Sequence, residues 1–183
     1  MRPSLTIVTA VVTILAAAQA TAQSKLISKH GYWDASERAV GKERVCYISS
    51  LPKKSRGKYK KRGEASVIVA HWPKRKHWAE VTVNAGYRYK PKSEVVIRIG
   101  GADHRLFTNG GQAYAYKGED GKLVRAMRAG ASMIVVGVSS KGTRTVDTYS
   151  LKGISAALKA IDAECRGKKG KSKGRKRKSA RRK

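Results

Sequence analysis

Acidic residues are scarce in this chain. Twelve Asp and Glu stand against 41 Lys and Arg in 183 residues, for a formal net charge of +29. The carboxylates that could do acid–base work, Asp34, Asp103 and Asp147, are too scattered in sequence to suggest a pair or a triad. Cysteine is almost absent too. The two present, Cys46 and Cys165, form no CxxC motif and no Cys/His zinc spacing. There is no GxSxG elbow around Ser49-Ser50 or Ser139-Ser140, and no GxGxxG or Walker loop. No unit recurs at a fixed period, which excludes solenoids and propellers. His71 and His77 flank a short turn. With three cations at its tip and no third ligand, no metal site is expected there. Neither an enzyme nor a cofactor is indicated.

What is present divides the chain into three parts. Residues 1–22 carry the features of a cleavable export signal. Arg2 and the free amine supply positive charge, Leu5 to Ala18 form the apolar run, and Ala20-Thr21-Ala22 offers small residues before Gln23. The run is short and interrupted by threonine, and no positive stop-transfer cluster follows, so the mature protein is expected to have no transmembrane span. At the other end, residues 166–183 contain twelve Lys or Arg and no large apolar residue, which reads as a disordered polybasic tail. All twelve acids lie between these segments, yet the body still keeps about +16. Residues 23–165 are numerous enough to bury one core.

Export changes how the cysteines read, because an oxidising compartment favours bridging an isolated pair. In Val45-Cys46-Tyr47-Ile48, strand alternation puts Cys46 on the same face as Ile48. Ile154, Ala157, Leu158 and Ile161 recur at helical spacing, and Cys165 continues that stripe. Two inward faces each carry one thiol, so a Cys46–Cys165 disulfide is expected. Closing a loop of about 120 residues stabilises by roughly 5 kcal/mol at most on chain-entropy grounds.

Between Lys29 and Cys165, short apolar runs alternate with turn signals. Strands are expected at His30–Ala35, Val45–Ser50, Ala65–Trp72, Ala79–Ala85 and Glu94–Ile99, then at His104–Thr108, Gln112–Tyr116, Ser132–Ser139 and Arg144–Ser150. Gly100-Gly101 and Lys141-Gly142 fit tight hairpins. Leu123–Ala129, stopped by Gly130, and Gly153–Cys165 read as helices. The expected fold is therefore mainly β: a single-domain β-sandwich or compact barrel with a closing C-terminal helix.

Several ordered segments resemble the invasion-associated locus B family. The run Val45-Cys46-Tyr47-Ile48-Ser49-Ser50-Leu51-Pro52, followed by basic residues through Arg62-Gly63-Glu64, is similar to it. So are Leu106-Phe107-Thr108, the Gly130–Gly137 stretch, and Thr143-Arg144-Thr145-Val146-Asp147-Thr148-Tyr149-Ser150-Leu151-Lys152-Gly153 with its helix to Cys165. The resemblance spans roughly residues 29–165. It implies a small secreted or periplasmic β-domain linked to bacterial entry into host cells, and it transfers no catalytic constellation.

The basic segments carry the functional signal. Lys53, Lys54, Arg56, Lys58, Lys60, Lys61 and Arg62 cluster around Tyr59. Lys74, Arg75 and Lys76 sit between Trp72 and Trp78, and Arg175, Lys176, Arg177 and Lys178 are the densest part of the tail. Clustered cations beside aromatic rings suit anionic polymers. Lys117, Lys122, Arg125, Arg128 and Lys141 read as background charge elsewhere on the domain. An exported chain meets lipopolysaccharide, acidic lipid or glycosaminoglycan first. The expectation is a noncatalytic binding or adhesion-type protein of the periplasm or cell surface. The alternative is a nonspecific nucleic-acid-binding basic protein, since no base-reading motif is present.

Overall fold

The computed structural model describes residues 23–166. The export segment 1–22 and the tail, including Arg175, Lys176, Arg177 and Lys178, lie outside the described residues.

Eleven strands follow one another: β1 (Lys25–His30), β2 (Trp33–Val40), β3 (Glu43–Ser50), β4 (Lys54–Arg56), β5 (Ser66–Trp72), β6 (His77–Asn84), β7 (Glu94–Ile99), β8 (Ala102–Asn109), β9 (Gln112–Ala115), β10 (Ser132–Val138) and β11 (Arg144–Ser150). Helix α1 (Asp120–Ala129) precedes β10, and α2 (Ile154–Cys165) ends the described chain. The strands make one antiparallel sheet in the order β1-β2-β3-β5-β6-β9-β8-β7-β10-β11-β4. The mainly β reading with a closing helix holds. Of its two alternatives the barrel is corrected: the single rolled sheet does not close, because its edge strands β1 and β4 do not pair.

Registers show why the sheet rolls. Cys46 lies opposite His71, Ile48 opposite Val69, Val69 opposite Val81 and Val83 opposite Ala113. Leu106 faces Val95 and Ile97 faces Val135 in the other half. Alternate residues along these strands therefore share one apolar face. All of those named but His71 belong to one buried core, which α1 joins through Leu123, Val124 and Met127. Helix α2 joins it through Ile154, Ala157, Leu158 and Ile161. An eleven-stranded sheet can bury one face in one core only by curling around it. Two hydrogen bonds span the open seam: the Trp33 indole donates to the Ser150 carbonyl at 3.0 Å, and the Tyr32 amide to the Lys152 carbonyl at 3.1 Å.

The disulfide lies where the two patterns converge. Cys46 on β3 bonds Cys165 at the end of α2, with Cα atoms 6.0 Å apart. Beside it, the buried His71 accepts the Ala79 amide on Nδ1 at 3.0 Å, so its proton sits on Nε2 and is donated to Asp162 at 3.0 Å. Burial holds the His71 pKa below its ordinary value, and the Asp162 charge only partly opposes this.

Two elements depart from the sequence reading. The expected strand His30–Ala35 is interrupted by a hairpin turn: the chain reverses at Gly31-Tyr32, leaving His30 at the end of β1 and Trp33–Ala35 at the start of β2. The three-residue β4 falls in a stretch whose charge suggests a loop, yet it pairs with β11 through Lys54–Thr148 and Arg56–Val146.

Candidate functional site

The chain leaves β3 at Ser50, forms β4 on the far edge of the sheet, and returns to β5 through residues 57–65. This return passes beside the β10–β11 turn, where the Thr143 hydroxyl donates to the Lys58 carbonyl at 3.4 Å. On the other flank, residues 86–90 run along the end of β10. The Ser140 amide donates to the Arg88 carbonyl at 2.8 Å, and Lys90 N–H donates to Val138 at 2.9 Å. These three segments enclose a cleft of about 660 Å³.

Its floor is polar but closed. Tyr87 and Thr145 share a 2.6 Å hydrogen bond between hydroxyls, and burial raises the Tyr87 pKa. Gly137 makes this floor possible. A Cβ there would lie 2.7 Å from the Tyr89 ring and 3.0 Å from the Tyr87 hydroxyl, so only the missing side chain lets both tyrosines pack inward.

Arg62 underpins the same wall. It donates to both Asp147 oxygens, at 2.8 and 2.6 Å, and through Nε to the Ala85 carbonyl at 2.7 Å. Its guanidinium lies 5.5 Å from the centre of Tyr59 and 5.1 Å from that of Tyr87. The side chains of Arg62 and Asp147 are only 6% and 5% exposed. Burial alone would make the guanidinium easier to deprotonate; the paired carboxylate outweighs that and raises its pKa. The sequence groups Arg62 with the anion contacts. That is corrected: its charge is neutralised internally, and its role is to anchor the loop.

The remaining cations of the run behave differently. Lys53, Lys54, Arg56, Lys58, Lys60 and Lys61 are all exposed, and among the described residues none forms an ion pair. Lys58, Lys60 and Lys61 line one side of the cleft, and Arg88 and Lys141 line the other. Among the described residues no carboxylate lines it. Sequence reasoning misses Arg88 and places Lys141 in the background. The alternating Tyr87-Arg88-Tyr89-Lys90 is the available signal for the first. Nothing local marks Lys141, because only the fold brings it across from Lys58.

The second expected cluster lies elsewhere. Register places residues 73–76 at the Glu43 end of β3 and residues 51–53 at its Ser50 end, about 20 Å apart over eight residues. At that tip Arg75 pairs with Glu43 at 3.2 Å and stacks on Trp72 at 4.4 Å. Lys74 and Lys76 remain exposed. The tryptophans are not free platforms either. Trp72 donates to Glu80, and Trp78 packs between His71 and Arg166. Among the described residues the expected anion contacts thus divide into two groups, and the first opens onto the cleft.

The three acids singled out by the sequence, and His71 and His77, are committed to other partners, whereas the buried His104 Nε2 has none among the described residues. Asp34, Asp103 and Asp147 pair with Lys29, Arg98 and Arg62 respectively. His71 is bound to Asp162 and His77 to Glu80. Among the described residues no three His, Cys, Asp or Glu side chains gather to hold a metal. Nor is any described helix long and apolar enough to cross a membrane.

The family model for invasion associated locus B (IalB) protein matches residues 33–162. The chain belongs to that family. The match begins at Trp33, the first residue of β2, and ends at Asp162, the partner of His71, so it takes in the cleft and nearly all of the core. Among solved structures, the IalB-family chain is similar to the crystal structure of invasion associated protein b from Bartonella henselae. The two share 15% identity and a TM-score of 0.51, over 75% of this chain and 96% of that one. At this identity the likeness concerns the fold. No curated protein matches the chain.

Proposed function

We propose that this IalB-family protein is an exported, noncatalytic binding protein of the bacterial envelope that contacts anionic surfaces during host-cell invasion. One observation carries the reading. The twelve carboxylates mostly pair with cations elsewhere, whereas Lys53, Lys54, Arg56, Lys58, Lys60, Lys61, Arg88, Lys141 and Arg144 gather unpaired along the β4 edge and the β10–β11 turn. Like charges held together repel, so such a patch attracts a polyanion that relieves them.

The compartment follows from chemistry. A Cys46–Cys165 bridge persists where thiols are not continuously reduced, which suits the periplasm or the cell surface. There the available polyanions are lipopolysaccharide, acidic lipid and glycosaminoglycan. The polybasic residues 166–183 add charge to the same contact.

Cell fractionation with N-terminal sequencing tests the export half of this reading; a mature start at Gln23 in the envelope fraction is expected. Retention on heparin and on lipopolysaccharide micelles, measured at rising salt, tests the binding half. A steep loss of affinity with salt is expected, and binding that ignores salt would refute it.

A further inference from the structure

We propose that the cleft between residues 58–61 and the β10–β11 turn is a discrete, saturable site for one phosphate or sulfate ester carried on a saccharide. The inference rests on the anion-contact reading above and narrows it from a surface to a pocket.

The cleft's charge is one-sided and local. Five cations, Lys58, Lys60, Lys61, Arg88 and Lys141, converge from two walls on a space lined by no carboxylate. The one acid close beneath the floor, Asp147, is cancelled by its bidentate contact with Arg62, so it does not repel an anion above it. A tetrahedral oxyanion placed there accepts charge-assisted hydrogen bonds from both sides.

The size and the rest of the lining argue for more than a bare ion. At about 660 Å³ the cleft lies in the range of roughly 300–1,000 Å³ typical of small-molecule sites, far larger than one oxyanion needs. Six of the lining residues, Tyr59, Tyr87, Ser139, Ser140, Thr143 and Thr145, carry hydroxyls, set in a lining whose exposed surface is mostly apolar. Ser139 Oγ already accepts the Thr143 amide at 3.1 Å, which leaves its own proton free to donate. Rings that present a flat face and a polar tip, with hydroxyls dispersed over an otherwise apolar lining, suit the apolar face and hydroxyl rim of a saccharide ring.

The test uses the isotope-labelled mature chain in moderate salt, titrated with glucosamine 6-phosphate, glucosamine 6-sulfate, inorganic phosphate and unmodified glucosamine. Saturable amide shifts confined to residues 58–62, 86–90 and 139–145 are expected with at least one ester. Inorganic phosphate and glucosamine should bind about tenfold or more weakly, since each offers only half of the ester's recognisable groups. The tighter ester identifies a phosphorylated or a sulfated source. Arg88→Gln with Lys141→Gln should weaken the ester by about tenfold or more, and Lys117→Gln with Arg128→Gln by less than about twofold. Tyr87→Phe, which leaves charge unchanged, should weaken the ester and inorganic phosphate to different extents. Shifts spread over all lysine-bearing segments, equal binding of phosphate and ester, or equal losses in the two double variants would overturn the site. Heparin retention of the same samples separates the two levels. Retention without saturable ester binding overturns the pocket and leaves the surface reading standing, whereas absence of both overturns both.

Discussion

Arg62 and Asp147, 85 residues apart, face each other inside the rolled sheet through two hydrogen bonds of 2.8 and 2.6 Å. This pairing fixes the return loop between β4 and β5 against β11, and so fixes one wall of the cleft.

Breaking half of the pair leaves a buried charge uncompensated. Arg62→Met or Asp147→Leu alone should each lower stability by about 3–5 kcal/mol, whereas the double variant should recover much of the loss. Urea melts of the four proteins check this. Equal and additive losses would show that the two side chains do not act as a pair.

The disulfide closes most of the domain. Replacing Cys46 and Cys165 with alanine should cost about 2–5 kcal/mol, mostly by freeing the unfolded chain. The comparison of chemical denaturation with and without the bridge checks it, together with nonreducing peptide mapping of the native protein. Two freely alkylated thiols in protein from its own compartment would contradict the assignment.

His71 gives the fold a pH dependence of known sign. Its folded pKa is lowered by burial, so below the ordinary value of 6.5 the unfolded chain takes up a proton that the folded chain refuses. The neutral ring is needed because Nδ1 accepts the Ala79 amide. Stability should therefore hold above about pH 6.5 and fall as pH drops below it, by at most about 1.4 kcal/mol per pH unit from this group. His71→Gln should flatten that part of the curve in thermal melts between pH 7.5 and 5. An unchanged slope would assign the acid sensitivity to the carboxylates.

Much of the fold is legible because its core strands alternate cleanly. Cys46 with Ile48, Val67 with Val69 and Val95 with Ile97 all point where a period of two puts them, and the α2 stripe leads directly to the disulfide. The misses are edge elements. β1, Lys-Leu-Ile-Ser-Lys-His, and β4, Lys-Ser-Arg, bury little, so no apolar rhythm announces them. Closure is also illegible, because whether a sheet seals depends on pairing between its first and last strands and leaves no local mark. At the site, the basic run shows where charge collects. It does not show that Arg62 turns inward, since its partner Asp147 is fixed by topology alone. The same holds for Lys141, which stands in the cleft although the sequence sets it apart.

Charge position, as opposed to charge number, is the centre of this account, and the salt dependence of heparin affinity tests it most directly. Two full-length mature variants each carry five fewer cations: Lys58, Lys60, Lys61, Arg88 and Lys141 become Gln in one, and Lys117, Lys122, Arg125, Arg128 and Lys159 become Gln in the other. The residues after Cys165 are common to both. The cleft variant should bind about tenfold or more weakly, with a log–log salt slope shallower by roughly one for each sulfate it no longer neutralises. The helix variant should stay close to the parent. Equal weakening of the two variants would contradict a localised surface and leave only a generally cationic domain.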